Sequence, residues 1–241
     1  MGGRSGIRVG GEDRVDFLQD LVTNDVRAAE ASPVYAALLT PQGKFLADFF
    51  LVAQGDTLLI DAAEGAAAGL LQRLTMYRLR RKVTLEPTAL SVTAGVGDAP
   101  EGALPDPRLS GAWRLYGAEG PGELSDEVRI EHMIPAYGAE LIPNESYVLE
   151  QGFERLGGVD FRKGCYVGQE IVARMKHKTE LRKGLARLTL GGPGALGDAV
   201  LDAQSREAGR LTTVAGVRAL ALLRYDREGL TVNGAPAERD G

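Results

Sequence analysis

The 241-residue chain has a single cysteine, Cys165, and two histidines, His132 and His177. One cysteine excludes an internal disulfide, and it also excludes an iron–sulfur cluster held by the chain's own thiolates. Two histidines this far apart lack metal-ligand spacing and argue against a zinc site. Aromatic residues make up only 6%, so the core must come mainly from Leu, Val and Ala packed as many small contacts. No run approaches the roughly 20 apolar residues of a membrane span. The stretch 1–9 has no apolar core of the roughly 7–15 residues that a signal peptide needs. The expectation from these absences is a cytoplasmic protein with no membrane partner. Positive charge is also short, with a net −5, which argues against duplex nucleic acid as a partner.

What is present is an ordinary globular balance of 44% hydrophobic and 25% charged residues. Val15, Leu18, Leu21 and Val22 recur at helical spacing, predicting an amphipathic helix over 12–25 that closes at Thr23-Asn24-Asp25. An apolar strand over 34–40, a turn at Pro41-Gln42-Gly43 and a return strand over 44–53 form a hairpin, with Asp48 inside the return strand. Further strands are predicted at 57–60, 83–85 and 90–94, and a helix at 62–78. This mixture of hairpins and helices is α+β. The stretch 95–111, with Pro100, Pro105 and Pro107, is the loosest in the chain. Ser125 is placed to cap a helix over 125–133. Beyond 184, apolar runs at 185–190, 199–201, 219–223 and 230–232 are separated by Gly-Gly-Pro-Gly, Glu-Ala-Gly and Glu-Gly, the spacing of a small antiparallel sheet or barrel.

The segment richest in chemistry is Phe161-Arg162-Lys163-Gly164-Cys165-Tyr166-Val167-Gly168-Gln169-Glu170. Gly164 and Gly168 bracket the cysteine and permit tight turns. A helix opening near Gly168, with Arg162 and Lys163 close by, would favour thiolate, the form that attacks electrophiles and binds metals. A lone cysteine is more often a small buried residue, but this polar, turn-rich setting argues against that. Basic residues recur through Arg174, Lys176, Lys178, Arg182 and Lys183, an attraction for an anion or simply a solvated face. A second basic group, Arg78, Arg80, Arg81 and Lys82, follows the helix over 62–78, where positive charge is favourable without any ligand.

The run Lys163 to Glu170 resembles the signature of the YgfZ-like folate-binding proteins. These are related to the glycine-cleavage T-protein and include mitochondrial iron–sulfur assembly members. The likeness extends to Phe17-Leu18 with Thr23-Asn24-Asp25-Val26 and to the hairpin from Leu39 to Asp48. It implies a T-protein-like folate-binding fold with a ferredoxin-like region over 1–180, an inserted lobe at about 54–111, and a small C-terminal β-barrel over 184–241. It also implies tetrahydrofolate, or a derivative, as cofactor. The function it implies is a folate-binding accessory factor for iron–sulfur cluster assembly or maintenance, with carrier proteins and recipient enzymes as partners. The alternative is a folate-dependent one-carbon transferase of the aminomethyltransferase type, and a third reading is a thiol-only redox or scaffold protein. By resemblance, Cys165 and Asp48 are the working residues. Glu145, in Pro143-Asn144-Glu145, resembles the carboxylate that binds the pterin. Lys163, Tyr166, Gln169 and Arg174 complete the expected folate site.

Overall fold

A computed structural model describes residues 3–178 and 180–240. Residues 1, 2, 179 and 241, which fall within the domain limits drawn above, lie outside the described residues. The body is built on an antiparallel five-stranded sheet in the order β2-β3-β4-β1-β5. Its strands are β1 (Arg4–Gly10), β2 (Val34–Leu39), β3 (Phe45–Gln54), β4 (Thr57–Ala63) and β5 (Thr84–Thr88). Every residue of β2 is buried, because this sheet is covered on both faces. Val34, Ala36 and Leu38 join one core with helices α1 (Arg14–Gln19) and α2 (Glu64–Arg78). The alternate residues Tyr35, Ala37 and Leu39 join a second core with Phe45, Phe50 and Phe153. The two-residue period of a strand thus sends one apolar run into two cores.

The helix predicted over 12–25 is only six residues long. Competition from the sheet ends it. Thr23 N–H donates to Ala37 O at 3.0 Å and Thr23 Oγ1 accepts from Ala37 N at 2.9 Å, so the chain after Gln19 pairs beside β2 instead of continuing as a helix. The segment 54–111, expected as an inserted lobe, is divided. β4 and β5 belong to the main sheet, and a separate three-stranded sheet holds β6 (Val92–Val96), β7 (Leu104–Pro105) and β8 (Ala112–Tyr116). Helix α3 (Asp126–Glu131) is capped by Ser125, whose Oγ accepts from Val128 N.

After α4 (Gln169–His177) the chain forms a closed barrel with the order β10-β11-β12-β9-β14-β13. Its strands are β9 (Lys183–Leu190), β10 (Ala199–Leu201), β11 (Glu207–Ala215), β12 (Arg218–Arg224), β13 (Thr231–Val232) and β14 (Ala235–Asp240). Glu207-Ala208-Gly209, read as a break between strands, opens β11. A Cβ at Gly209 would collide with the backbone oxygen of Leu222 on β12, so the glycine is there for close strand approach. β14 has no apolar signature in the sequence because it is mostly polar, with Ala237 alone buried in the barrel core.

Candidate functional site

Two motifs distant in sequence meet around the cysteine loop, and a third joins the second of them. The first is the turn after α1. Lys163 Nζ is buried and donates to the backbone oxygens of Gln19 (2.7 Å), Val22 (2.5 Å) and Asn24 (3.1 Å). Thr23 Oγ1 donates to Gly158 O at 2.6 Å, and Asn24 Nδ2 bridges Tyr35 O and Gly157 O. The second is the hairpin turn. Gly168, at φ +86°, lies so close to it that a Cβ would stand 2.7 Å from Thr40 O, and a Cβ on Gly43 would stand 2.7 Å from Ile171 Cβ of α4. The third is the Pro143-Asn144-Glu145 segment, where Lys44 Nζ donates to Glu145 O at 2.8 Å and lies 3.6 Å from the Tyr147 ring centre. Cys165 is exposed on the loop that the first two sets of contacts hold.

The expected electrostatic setting of the thiol differs. Lys163 does not face Cys165, since all three of its donors are committed to carbonyls. Its pKa is lowered to about 8, burial being the chief cause and Asp25 opposing it. Arg162 points into solvent, 4.0 Å from Asp160. Helix α4 begins at Gln169, four residues after Cys165, beyond the reach of a dipole effect confined to the first turn.

Asp48 sits on the second-core face of β3 and is only 5% exposed. Its Oδ2 accepts from the Tyr35 hydroxyl at 2.9 Å, and its Oδ1 has no hydrogen-bond partner among the described residues. Burial raises its pKa, with Arg4 opposing. Burial also raises that of Tyr35, and the adjacent Asp48 carboxyl adds to it. Above this pair lies an ion network that local sequence does not announce. Arg4 pairs with Asp61 (2.6 Å) and Glu123 (2.5 Å), Arg108 with Asp106 (2.8 Å) and Glu123 (3.0 Å), and Arg114 with Asp61 (2.7 Å). The guanidinium groups of Arg114 and Arg108 lie 4.0 and 4.7 Å from the Phe50 ring centre. Burial would raise the Glu123 pKa, but Arg108 and Arg4 overcome it and hold this carboxyl well below the usual range.

The remaining predicted residues do not converge on Asp48. Glu145 is exposed and lines a cavity of about 490 Å³ between the body and the barrel, together with Glu150, Lys183, Arg210 and Arg224. Glu150 is the carboxylate that sequence reading missed. Its side chain is largely buried, 3.4 Å from Lys183, and burial raises its pKa against the pull of that lysine. Tyr166 is packed in the second core, where burial raises its pKa. Gln169 is the first residue of α4, its N–H donating to Tyr166 O. Arg174 is exposed and paired with Glu170 at 2.9 Å. None of Lys163, Tyr166, Gln169 or Arg174 lines the cavity that holds Glu145.

Together the body and the closed barrel define a T-protein-like fold. The crystal structure of glycine cleavage system aminomethyltransferase T from Bartonella henselae is similar to it with a TM-score of 0.75, covering 99% of this chain and 83% of that one at 12% identity. Residues 182–239 match the CAF17 C-terminal β-barrel domain. The mitochondrial iron–sulfur cluster assembly factor IBA57 of Mus musculus is 32% identical, over 94% of this chain and 77% of its own length. Its Homo sapiens counterpart is 32% identical over 92% and 76%. The chain belongs to the family of these IBA57 proteins, within the YgfZ- and CAF17-like group that the signature resembles. The relatives also correct the cytoplasmic expectation, because they are mitochondrial proteins. That expectation rested on the composition of the stretch 1–9 and on the apolar length that a membrane span needs, and neither separates one aqueous compartment from another.

Proposed function

We propose that this chain is an iron–sulfur cluster assembly factor that offers the Cys165 thiolate to a cluster carried by a partner protein. The observation that carries the reading is a lone, exposed cysteine on a loop fixed at the turn after α1 and at the hairpin turn, in a chain whose relatives are named as assembly factors. A fixed loop presents the sulfur with little ordering entropy left to lose on binding. The cluster is cargo. When Cys165 takes an iron, its thiol proton passes to solvent, and the other ligands come from the partner or a small thiol.

The fold family also implies a folate, and the donor set of the cavity between body and barrel fits one. Glu150 and Glu145 can accept hydrogen bonds from the N–H edge of a pterin, and glutamyl carboxylates would exchange with Glu150, Glu207 and Asp226 as partners of Lys183, Arg210 and Arg224. Bound tetrahydrofolate supplies a carrier for one-carbon units, and this chain's part there is to bind and orient it. Asp48, nearly sealed beneath the arginine network, gives no support to the aminomethyltransferase alternative.

In cells lacking the endogenous protein, Cys165→Ala should leave iron–sulfur enzyme activities at the level of the empty strain, and wild-type activities would remove the cysteine from the mechanism. Titration calorimetry with tetrahydrofolate should give a binding heat that Glu150→Gln weakens. No heat from the wild type removes the folate.

A further inference from the structure

We infer that the groove between α1 and the end of α2 is where the cluster-carrying partner docks, by an apolar side chain flanked by carboxylates. The inference rests on the reading of Cys165 above. The groove holds about 760 Å³, with Phe17, Leu21, Tyr77 and Leu79 as its apolar lining; its polar residues are Arg80, Arg81 and two carboxylates already engaged, Asp13 by Lys82 N and Asp20 by Arg81.

The turn that forms one side of this groove places a leucine where a glycine belongs. Arg81 N donates to Arg78 O at 2.9 Å, closing a four-residue turn, and Leu79 occupies its second position at φ +46°, ψ −111°. That is the first central position of a type II′ turn, which calls for glycine. A leucine there is strained, and burial does not offset the strain, since Leu79 is 87% exposed. Met76, one turn earlier on α2, is exposed beside it in sequence. Most of the leucine's surface faces solvent among the described residues. A partner's apolar side chain would give it a contact.

Charge narrows the partner. Arg81 is paired with Asp20 at 2.5 Å and Lys82 with Glu12. Arg78 and Arg80 are exposed and form no ion pair among the described residues. Two uncommitted guanidinium groups flank the exposed leucine and match carboxylates set around an apolar anchor. A concave, mixed surface of this kind suits a protein segment better than a bilayer, which takes a protruding apolar face.

Position links the groove to the thiol. Asp20 and Leu21, which line the groove, belong to the same turn whose carbonyls at Gln19, Val22 and Asn24 hold Lys163. Cys165 follows two residues later, at most about 7 Å of extended chain. A protein seated in the groove therefore lies beside the loop that carries the sulfur.

The test measures affinity of the full chain for a purified [2Fe–2S] carrier protein, apo and cluster-loaded, at two salt concentrations. Leu79→Asp and Arg80→Glu should each weaken apo-carrier binding at least tenfold. Cys165→Ser should lose the added affinity of the loaded form. Leu79→Gly, which suits the turn, should raise the unfolding midpoint and still weaken docking, separating the contact from the fold. If the Leu79 and Arg80 variants bind as wild type while Cys165→Ser loses the loaded carrier, the groove is wrong and the reading of Cys165 stands. Failure of the wild type to bind either form overturns both. Self-association that Leu79→Asp abolishes overturns the proposal in favour of a second copy. Binding to phosphatidylglycerol vesicles that Leu79→Asp abolishes overturns it in favour of a membrane.

Discussion

Asp48 and Tyr35 form a hydrogen-bonded pair inside the second core, and one carboxyl oxygen of that pair has no partner among the described residues. Burial disfavours the ionised carboxylate, so the folded pKa lies above the unfolded one. Between those two values the folded state binds more protons than the unfolded state, and stability therefore falls as pH rises through that window. Asp48→Asn removes the charge and keeps the shape. It should stabilise the chain at pH 7.5, and the gain should be smaller at pH 4, because proton uptake by the aspartate removes the same charge as pH falls. Urea unfolding at the two pH values checks this. A destabilised Asn variant at pH 7.5 would mean that the carboxylate is held ionised by the arginines above it. Glu123 has the opposite sign. Its lowered pKa adds stability that is present above the ordinary glutamate range and is lost as pH falls toward its folded value.

At the scale of elements, the join between the hairpin turn and α4 fixes the cysteine loop. Gly168 stands at φ +86° directly against Thr40 O, and Gly43 stands against Ile171. Neither an L-residue's backbone preference nor its Cβ is compatible with this approach. Gly168→Ala should cost about 1–3 kcal/mol and should release the loop. The measurements are the urea midpoint and the rate at which a thiol reagent labels Cys165. An unchanged labelling rate in a folded variant would show that the loop is held without this join. The same scale explains the length of α1. Pairing of Thr23 with Ala37 ends a helix that the spacing of Val15, Leu18, Leu21 and Val22 would otherwise continue.

Across the whole molecule, the barrel is tied to the body by a buried carboxylate. Glu140 accepts from Thr213 Oγ1 of β11 at 2.5 Å, from Arg129 Nη2 of α3 at 2.6 Å and from Ala136 N at 2.9 Å. Glu131 of α3 adds ion pairs to Arg187 and Arg218 of the barrel. Thr213→Val keeps the shape and removes one donor, leaving a buried oxygen without it. The expected loss is about 1–3 kcal/mol, with faster protease cleavage between α4 and β9. Cleavage at the wild-type rate would place the joint elsewhere.

The sequence alone determined what depends on composition, turns and local pattern. The α+β class, the hairpin at Pro41-Gln42-Gly43, the Ser125 cap, the barrel strands β9, β10, β12 and β13 and the Cys165 signature were legible there, since each is a short-range property of neighbouring residues. Tertiary structure decided what depends on distant partners. It turned Lys163 from a supposed neighbour of the thiol into a buried strut, because three carbonyls from the turn after α1 gather at its ammonium. It gathered Arg4, Asp61, Asp106, Arg108, Arg114 and Glu123 from separate elements into one network over Phe50. It set Glu150 beside Lys183 in the cavity, while Glu145 faces solvent at its edge. No local pattern encodes such meetings, because charges far apart in the chain become neighbours only once the sheets and the barrel have closed around them.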